Sequence, residues 1–162
     1  MDKKTVNVKS IIITAVYAAL YASITVFEYL VAGVLAYGPI QVRVSDAMLP
    51  LPMIHGVPAA LGLALGCFIA NSFITGNPVD VVFGSIANLI SGLLVAKASR
   101  GSIVLATVYP IIVVSLIVGS YLPLLFPDFP IYLSIPSIFV GEFIAVFVIG
   151  LPLLKVLQKV RV

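Results

Sequence analysis

Apolar residues run along this chain in stretches of about twenty, broken by glycine, proline or small clusters of polar side chains. A helix rising 1.5 Å per residue needs runs of that length to cross the roughly 30 Å hydrocarbon core of a bilayer. The pattern predicts six spans, at about 10–35, 40–54, 58–74, 79–96, 102–122 and from 137 to 155 or beyond. The second is short, and its Pro50 and Pro52 should kink a helix or end it early. "HGVP" (55–58), "TGNP" (75–78) and "KASRG" (97–101) mark turns, and the proline-rich stretch 122–136 reads as a long connection. A membrane β-barrel would instead alternate apolar and polar residues in segments of about ten. The expected fold is all-α, a polytopic integral membrane bundle of six transmembrane helices forming a single domain over 1–162.

Composition agrees with lipid as the main solvent. Hydrophobic residues make up 62% of the chain and charged residues 9%, against about 25% charged in soluble domains. The N-terminal "MDKKTVNVKS" is too short and polar for a cleaved signal, so the first apolar stretch is expected to be retained. Six spans put Lys3, Lys4, Lys9, Lys97, Arg100, Lys155, Lys159 and Arg161 on one side, which is eight of the nine Lys and Arg. The positive-inside rule makes that side cytoplasmic, with both termini there and the chain in the cell membrane. Arg43 is the exception. Glu28, Asp46, Asp80, Asp128 and Glu142 fall in the outer half or the outer loops. A charge near the bilayer centre costs about 2.5–3.5 kcal/mol on insertion scales, so this collection suggests a polar pocket open to the outside.

The chain lacks the residues for several chemistries. It has one His and one Cys, and no HExxH, GxSxG or Walker A sequence. Catalysis, a cofactor, a metal site and a nucleic-acid partner are therefore not expected, and uphill transport would need an outside energy source. Cys67 cannot form an internal disulfide, and His55 reads as a structural turn residue. In the fourth span Asp80, Gly84 and Asn88 share one helical face, continued by Ser91. Asn71 lies near the outer end of the third span, and Glu142 about 8 Å into the last one. Glu28 is placed to reach headgroup water, and Asp128 to be solvated in a loop. Arg43 and Asp46 can pair at i and i+3, or bridge to other elements: Arg43 to Glu28, Asp80 or Glu142, and Asp46 toward the pocket. Ala15, Ala19 and Ala22, with Ala18 beside them, form a small-residue strip suited to close approach of another helix, either within the bundle or from a partner. Gly62, Gly66 and Ala70 look like a second strip, used internally.

Four blocks, "GPIQVRVSDAMLPLP" (38–52), "LGCFIAN" (65–71), "DVVFGSIANLISGLL" (80–94) and "GEFIAVFVIGLPLLKVLQK" (141–159), resemble the QueT family. These are substrate-capture (S) components of energy-coupling factor (ECF) transporters assigned to queuosine precursors. The resemblance implies a six-helix protein with cytoplasmic termini and an outward-facing pocket. Its energy would come from a transmembrane T protein and two ATPase subunits, with Ala15, Ala18, Ala19 and Ala22 as the docking strip. It also implies a 7-deazaguanine base or queuine as substrate. A guanine-like edge suits a carboxylate, with Glu142 the first candidate and Asp80 the reserve. Asn88 or Asn71 would meet the carbonyl, and Phe83, Phe139 or Tyr37 would stack on the base. Arg43 and Asp46, from the block most like the family, complete the expected site. Alternatives are an S component for another vitamin-like solute, such as riboflavin or thiamine, and a self-sufficient small transporter or channel. The absence of an internal repeat disfavours the last.

Overall fold

The structure is a computed structural model and describes residues 7–33, 37–38 and 41–160. Five helical stretches are long and apolar enough to cross a membrane: α1 (Val8–Ala32), α3 (Val57–Ile74), α4 (Pro78–Ala98), α5 (Ile103–Leu125) and a continuous stretch over Ile131–Val160. The last divides into α6 (Ile131–Glu142), a π-helical segment (Phe143–Gly150) and α7 (Leu151–Val160). Between α1 and α3 lie a 3₁₀ helix (Val44–Met48) and the one-turn α2 (Pro52–His55). The helices pack against their neighbours in order, α1 on α3, α3 on α4, α4 on α5 and α5 on α6. Phe27, Phe73, Leu124 and Tyr132 stand outward, as side chains facing lipid do.

The second predicted span differs in kind from the expected helix. Residues 41–43 are extended, and a run of i→i+3 bonds then links Asp46 to Arg43, Leu49 to Asp46, Leu51 to Met48 and Ile54 to Leu51 at 2.9–3.0 Å. The segment still crosses the bundle. Gln41 lies against Gly141, Ala47 against Gly150 and Met53 against Gln158. Those partners span about 25 Å of helix at 1.5 Å per residue. The crossing segment covers that distance in fewer residues because 3₁₀ geometry rises about 2 Å per residue. An α-helix over 40–54 would reach only about 22 Å, well short of a hydrocarbon core. Pro50 sits in a turn and Pro52 in the first turn of α2, where a missing N–H costs little.

Two other boundaries move. α5 continues through Pro123 to Leu125, and the last helix starts at Ile131, with Pro136 inside it. Pro130 caps that helix in an extended conformation, which leaves only a short turn where a long connection was expected. Glu142 therefore lies about 17 Å from the start of its helix, roughly twice the expected depth. The predicted helix bound at Leu35, together with Lys3, Lys4 and Arg161, lies outside the described residues.

Glycines set the close contacts. A side chain at Gly62 or Gly66 would meet the backbone of α1 at Thr14 and Ala18, and one at Gly150 would sit 2.7 Å from the Ala47 carbonyl. At Gly141 a Cβ would overlap the carbonyl of Gln41 outright. Gly141→Ala is therefore expected to cost about 1–3 kcal/mol and to lower the melting temperature of detergent-purified protein. Ile149→Ala, at a partly exposed position, should leave it nearly unchanged. Equal melting of Gly141→Ala and wild type would contradict the seating of residue 41 on the last helix.

Candidate functional site

The site begins with what holds the crossing segment in place. Glu28 of α1 accepts backbone N–H bonds from Val44 and, at 3.1 Å, from Ser45. Its carboxylate thus satisfies the first donors of the 3₁₀ helix, as an N-cap would. A group expected to reach headgroup water is a structural cap. Lower on α1, the fully buried Tyr21 donates to Asp46 Oδ1 at 2.5 Å. Its own backbone carbonyl accepts from Thr25.

These anchors aim Arg43 into the bundle, where it is 8% exposed. Its guanidinium lies 4.1 Å above the Tyr37 ring, Nε donates to Gln41 Oε1 at 3.1 Å, and Nη2 is 4.0 Å from Asp80 Oδ1. Of the bridges open to Arg43, the ion pair with Asp80 forms. Asp80 also accepts from Tyr121 at 2.7 Å and Thr75 at 3.1 Å. It sits in the first turn of α4, where the helix dipole favours an anion, and Asn77 caps that turn by accepting from Val79.

Two cavities flank Arg43. The outer one, about 210 Å³, is bounded by Tyr37, Gln41, Arg43, Asn77, Asp80 and Phe126, among others. The inner one is lined by Gln41, Arg43, Asp46, Gly84, Asn88 and Glu142 over an apolar wall of Val114, Val118 and Ile138. It has room for about one water molecule. Asn88 Nδ2 and Glu142 Oε2 are buried there with no hydrogen-bond partner among the described residues. Asp46 and Glu142 both line this cavity. A larger cavity, about 470 Å³, opens at the opposite end beside Lys9 and His55, far from this cluster. There His55 Nδ1 lies 2.8 Å from the Tyr17 hydroxyl.

Six of the eight expected binding residues line one or both cavities: Glu142, Asn88, Asp80, Arg43, Asp46 and Tyr37. Two do not. Asn71 is fully buried with its amide engaged, its oxygen accepting from Tyr37 at 2.6 Å and its nitrogen donating to the Asp80 carbonyl at 3.1 Å. It braces the wall behind the site. Phe139 is 44% exposed and lines neither cavity, because Ile138 and Glu142 take the inward face of α6. Phe83 also stands largely outward, and the Tyr37 face is occupied by Arg43. The expected stacking of a base on Phe83 or Phe139 has no geometric basis here. Of the alanine strip, Ala15 and Ala19 are exposed and Ala22 is half-buried, but Ala18 packs against Gly62 and Gly66. Three contributors were not anticipated. Gln41 lies within the block 38–52 that also holds Arg43 and Asp46, whereas Tyr21 and Tyr121 carry no signal that separates them from core aromatics.

Outward-standing apolar side chains around a buried ionic and amide cluster fit a membrane transport protein. The chain belongs to the QueT transporter family, which it matches over residues 11–159. No curated protein and no solved structure matches it. Membership implies a multi-pass membrane protein with a small-molecule substrate.

The Arg43–Asp80 contact generates a test. Removing one partner of a buried ion pair costs about 3–5 kcal/mol through the stranded charge. Arg43→Ala should therefore melt well below wild type, and Arg43→Ala combined with Asp80→Asn should recover part of the loss. Wild-type melting of Arg43→Ala would contradict the pairing.

Proposed function

We propose that this protein is the substrate-capture component of an energy-coupling factor transporter, taking up a 7-deazaguanine base, either a queuosine precursor or queuine. The cell-surface side is then the end bearing Asn77, Asp80 and Phe126, and the end bearing Lys9, Lys97, Arg100, Lys155 and Lys159 faces the cytoplasm, as the positive-inside rule requires. A separate T protein and two ATPases would supply the energy. The exposed Ala15 and Ala19, with Ala22, offer the T protein a lipid-facing strip where a helix can approach closely.

Beyond family membership, one observation carries the substrate reading. Glu142 Oε2 is a buried acceptor and Asn88 Nδ2 a buried donor, and both lack a partner among the described residues on the wall of the same cavity. An unmet buried polar atom costs about 1–3 kcal/mol. A ligand edge that offers donors beside an acceptor would relieve both. The pyrimidinone edge of a 7-deazaguanine has that pattern, with N1–H and the exocyclic amine for Glu142 and the carbonyl for Asn88. The inner cavity is too small for the whole base as it stands. Gln41 and Arg43 line both cavities, so a shift of these two side chains joins the outer volume to the inner one. The base then enters edge first from outside.

The test is calorimetric titration of the purified protein with 7-deazaguanine bases. Glu142→Gln keeps the shape of the side chain but loses the charge-assisted pair, worth about 1.5–3 kcal/mol. Its Kd should rise about tenfold or more. A Kd within about threefold of wild type would exclude Glu142 from that role.

A further inference from the structure

An edge-first pose fixes where the other end of the ligand lies. The inner cavity has room for about one water molecule, so it admits the pyrimidinone edge and no more. The ring system then lies between Gln41 and Arg43, which line both cavities, and its five-membered end is left toward the outer cavity of about 210 Å³. We propose that this outer cavity is a subsite for a substituent on the five-membered ring, and that the protein selects 7-deazaguanines bearing a bulky hydroxylated arm over those with a small one. The inference rests on the proposed function and narrows its substrate class.

The walls of the outer cavity suit an arm of that kind. Leu122, Leu125 and Phe126, at the end of α5, form its apolar side. Thr75 and Asn77, from the turn between α3 and α4, add polar groups. Asn77 uses its side-chain oxygen to cap α4 at Val79, and its amide nitrogen has no partner among the described residues. Two N–H donors are thus left for a hydroxyl oxygen. The other polar groups are more committed. Thr75 Oγ1 donates to the Asn71 carbonyl and to Asp80, and Asp80 also meets Tyr121 and Arg43. What the cavity offers a newcomer is an amide donor beside an aromatic and aliphatic surface. Past Leu125 and Phe126 a second hollow, about 300 Å³, runs along Pro127, Asp128 and Phe129. An arm that outgrows the first cavity is therefore not stopped by packed protein.

Arm size decides how much this subsite contributes. An unsubstituted base sends nothing into it. An aminomethyl group places one short polar arm there and leaves the apolar wall to water. Queuine extends the aminomethyl arm by a cyclopentene ring with two hydroxyls, whose carbon face can lie on Leu125 and Phe126 while a hydroxyl oxygen accepts from Asn77. A single methylene in an apolar pocket discriminates by about tenfold or more, so a whole ring should reach at least that.

The test is titration calorimetry of the full chain with three probes: 7-deazaguanine, its 7-aminomethyl derivative and queuine. The last two share the linking amine, so their comparison separates the ring from its charge. Queuine should bind about tenfold or more tighter than the aminomethyl base. Phe126→Ala removes the apolar face. Asn77→Ser keeps a capping oxygen for α4 but loses the amide donors. In each variant the ratio of the two Kd values should fall toward one. The wild-type ranking stands even if a variant does not fold. Binding of the aminomethyl base within about threefold of queuine, or an unchanged ratio in both variants, would overturn the subsite while leaving the proposed function intact. Failure of the wild type to bind any of the three bases would overturn both.

Discussion

A backbone that crosses a bilayer without forming an α-helix must find partners for its N–H and C=O groups inside the protein. Residues 41–55 live under that constraint, and much of the bundle follows from it. Glu28 supplies the acceptor for the first donors of the 3₁₀ helix, and i→i+3 bonds carry the chain onward to α2. Gly141 and Gly150 remove the side chains that would keep this segment off the last helix. The two elements in contact there, one wound tighter and one looser than an α-helix, are also the irregular parts of an otherwise regular bundle.

The irregular crossing is also what places the chemistry. An α-helix would spread Gln41, Arg43 and Asp46 around a cylinder, with Gln41 and Arg43 about 200° apart. The extended entry instead lets Gln41 and Arg43 share the wall of both cavities, with Asp46 and Glu142 lining the inner one. Charge then accumulates where lipid cannot reach it. Buried charges are tolerated when paired and hydrogen-bonded, and Asp80 meets that condition through Arg43, Tyr121 and Thr75. Asn88 and Glu142 do not meet it fully. Each buried deficit of this kind calls for an explanation, and the proposed ligand edge supplies one.

The spans were legible because lipid imposes a long and simple apolar pattern. The face holding Asp80, Gly84, Asn88 and Ser91 could be read from helical spacing, and all four are buried. Residues 41–54 depart from the expected α-helix because their polarity marks burial without specifying backbone geometry. The two prolines were the signal that geometry would depart from α. Phe139 illustrates a second limit. Aromatic content near a binding residue cannot say which side of the helix faces inward, and one position of offset turns a side chain by about 100°. Tyr21 and Tyr121 were missed for the complementary reason, since their roles depend on partners far away in the chain, Asp46 and Asp80.

The proposed function seats a ligand between Asn88 and Glu142, the two residues with unmet buried polar atoms on the inner cavity. Mass spectrometry of small molecules released from protein purified gently in detergent tests that claim most directly. The account predicts a base of the 7-deazaguanine class, retained by wild-type protein and lost when Glu142 is replaced by Gln. Release of a flavin, thiamine or another unrelated solute, or equal retention of the base by the Glu142 variant, would contradict it.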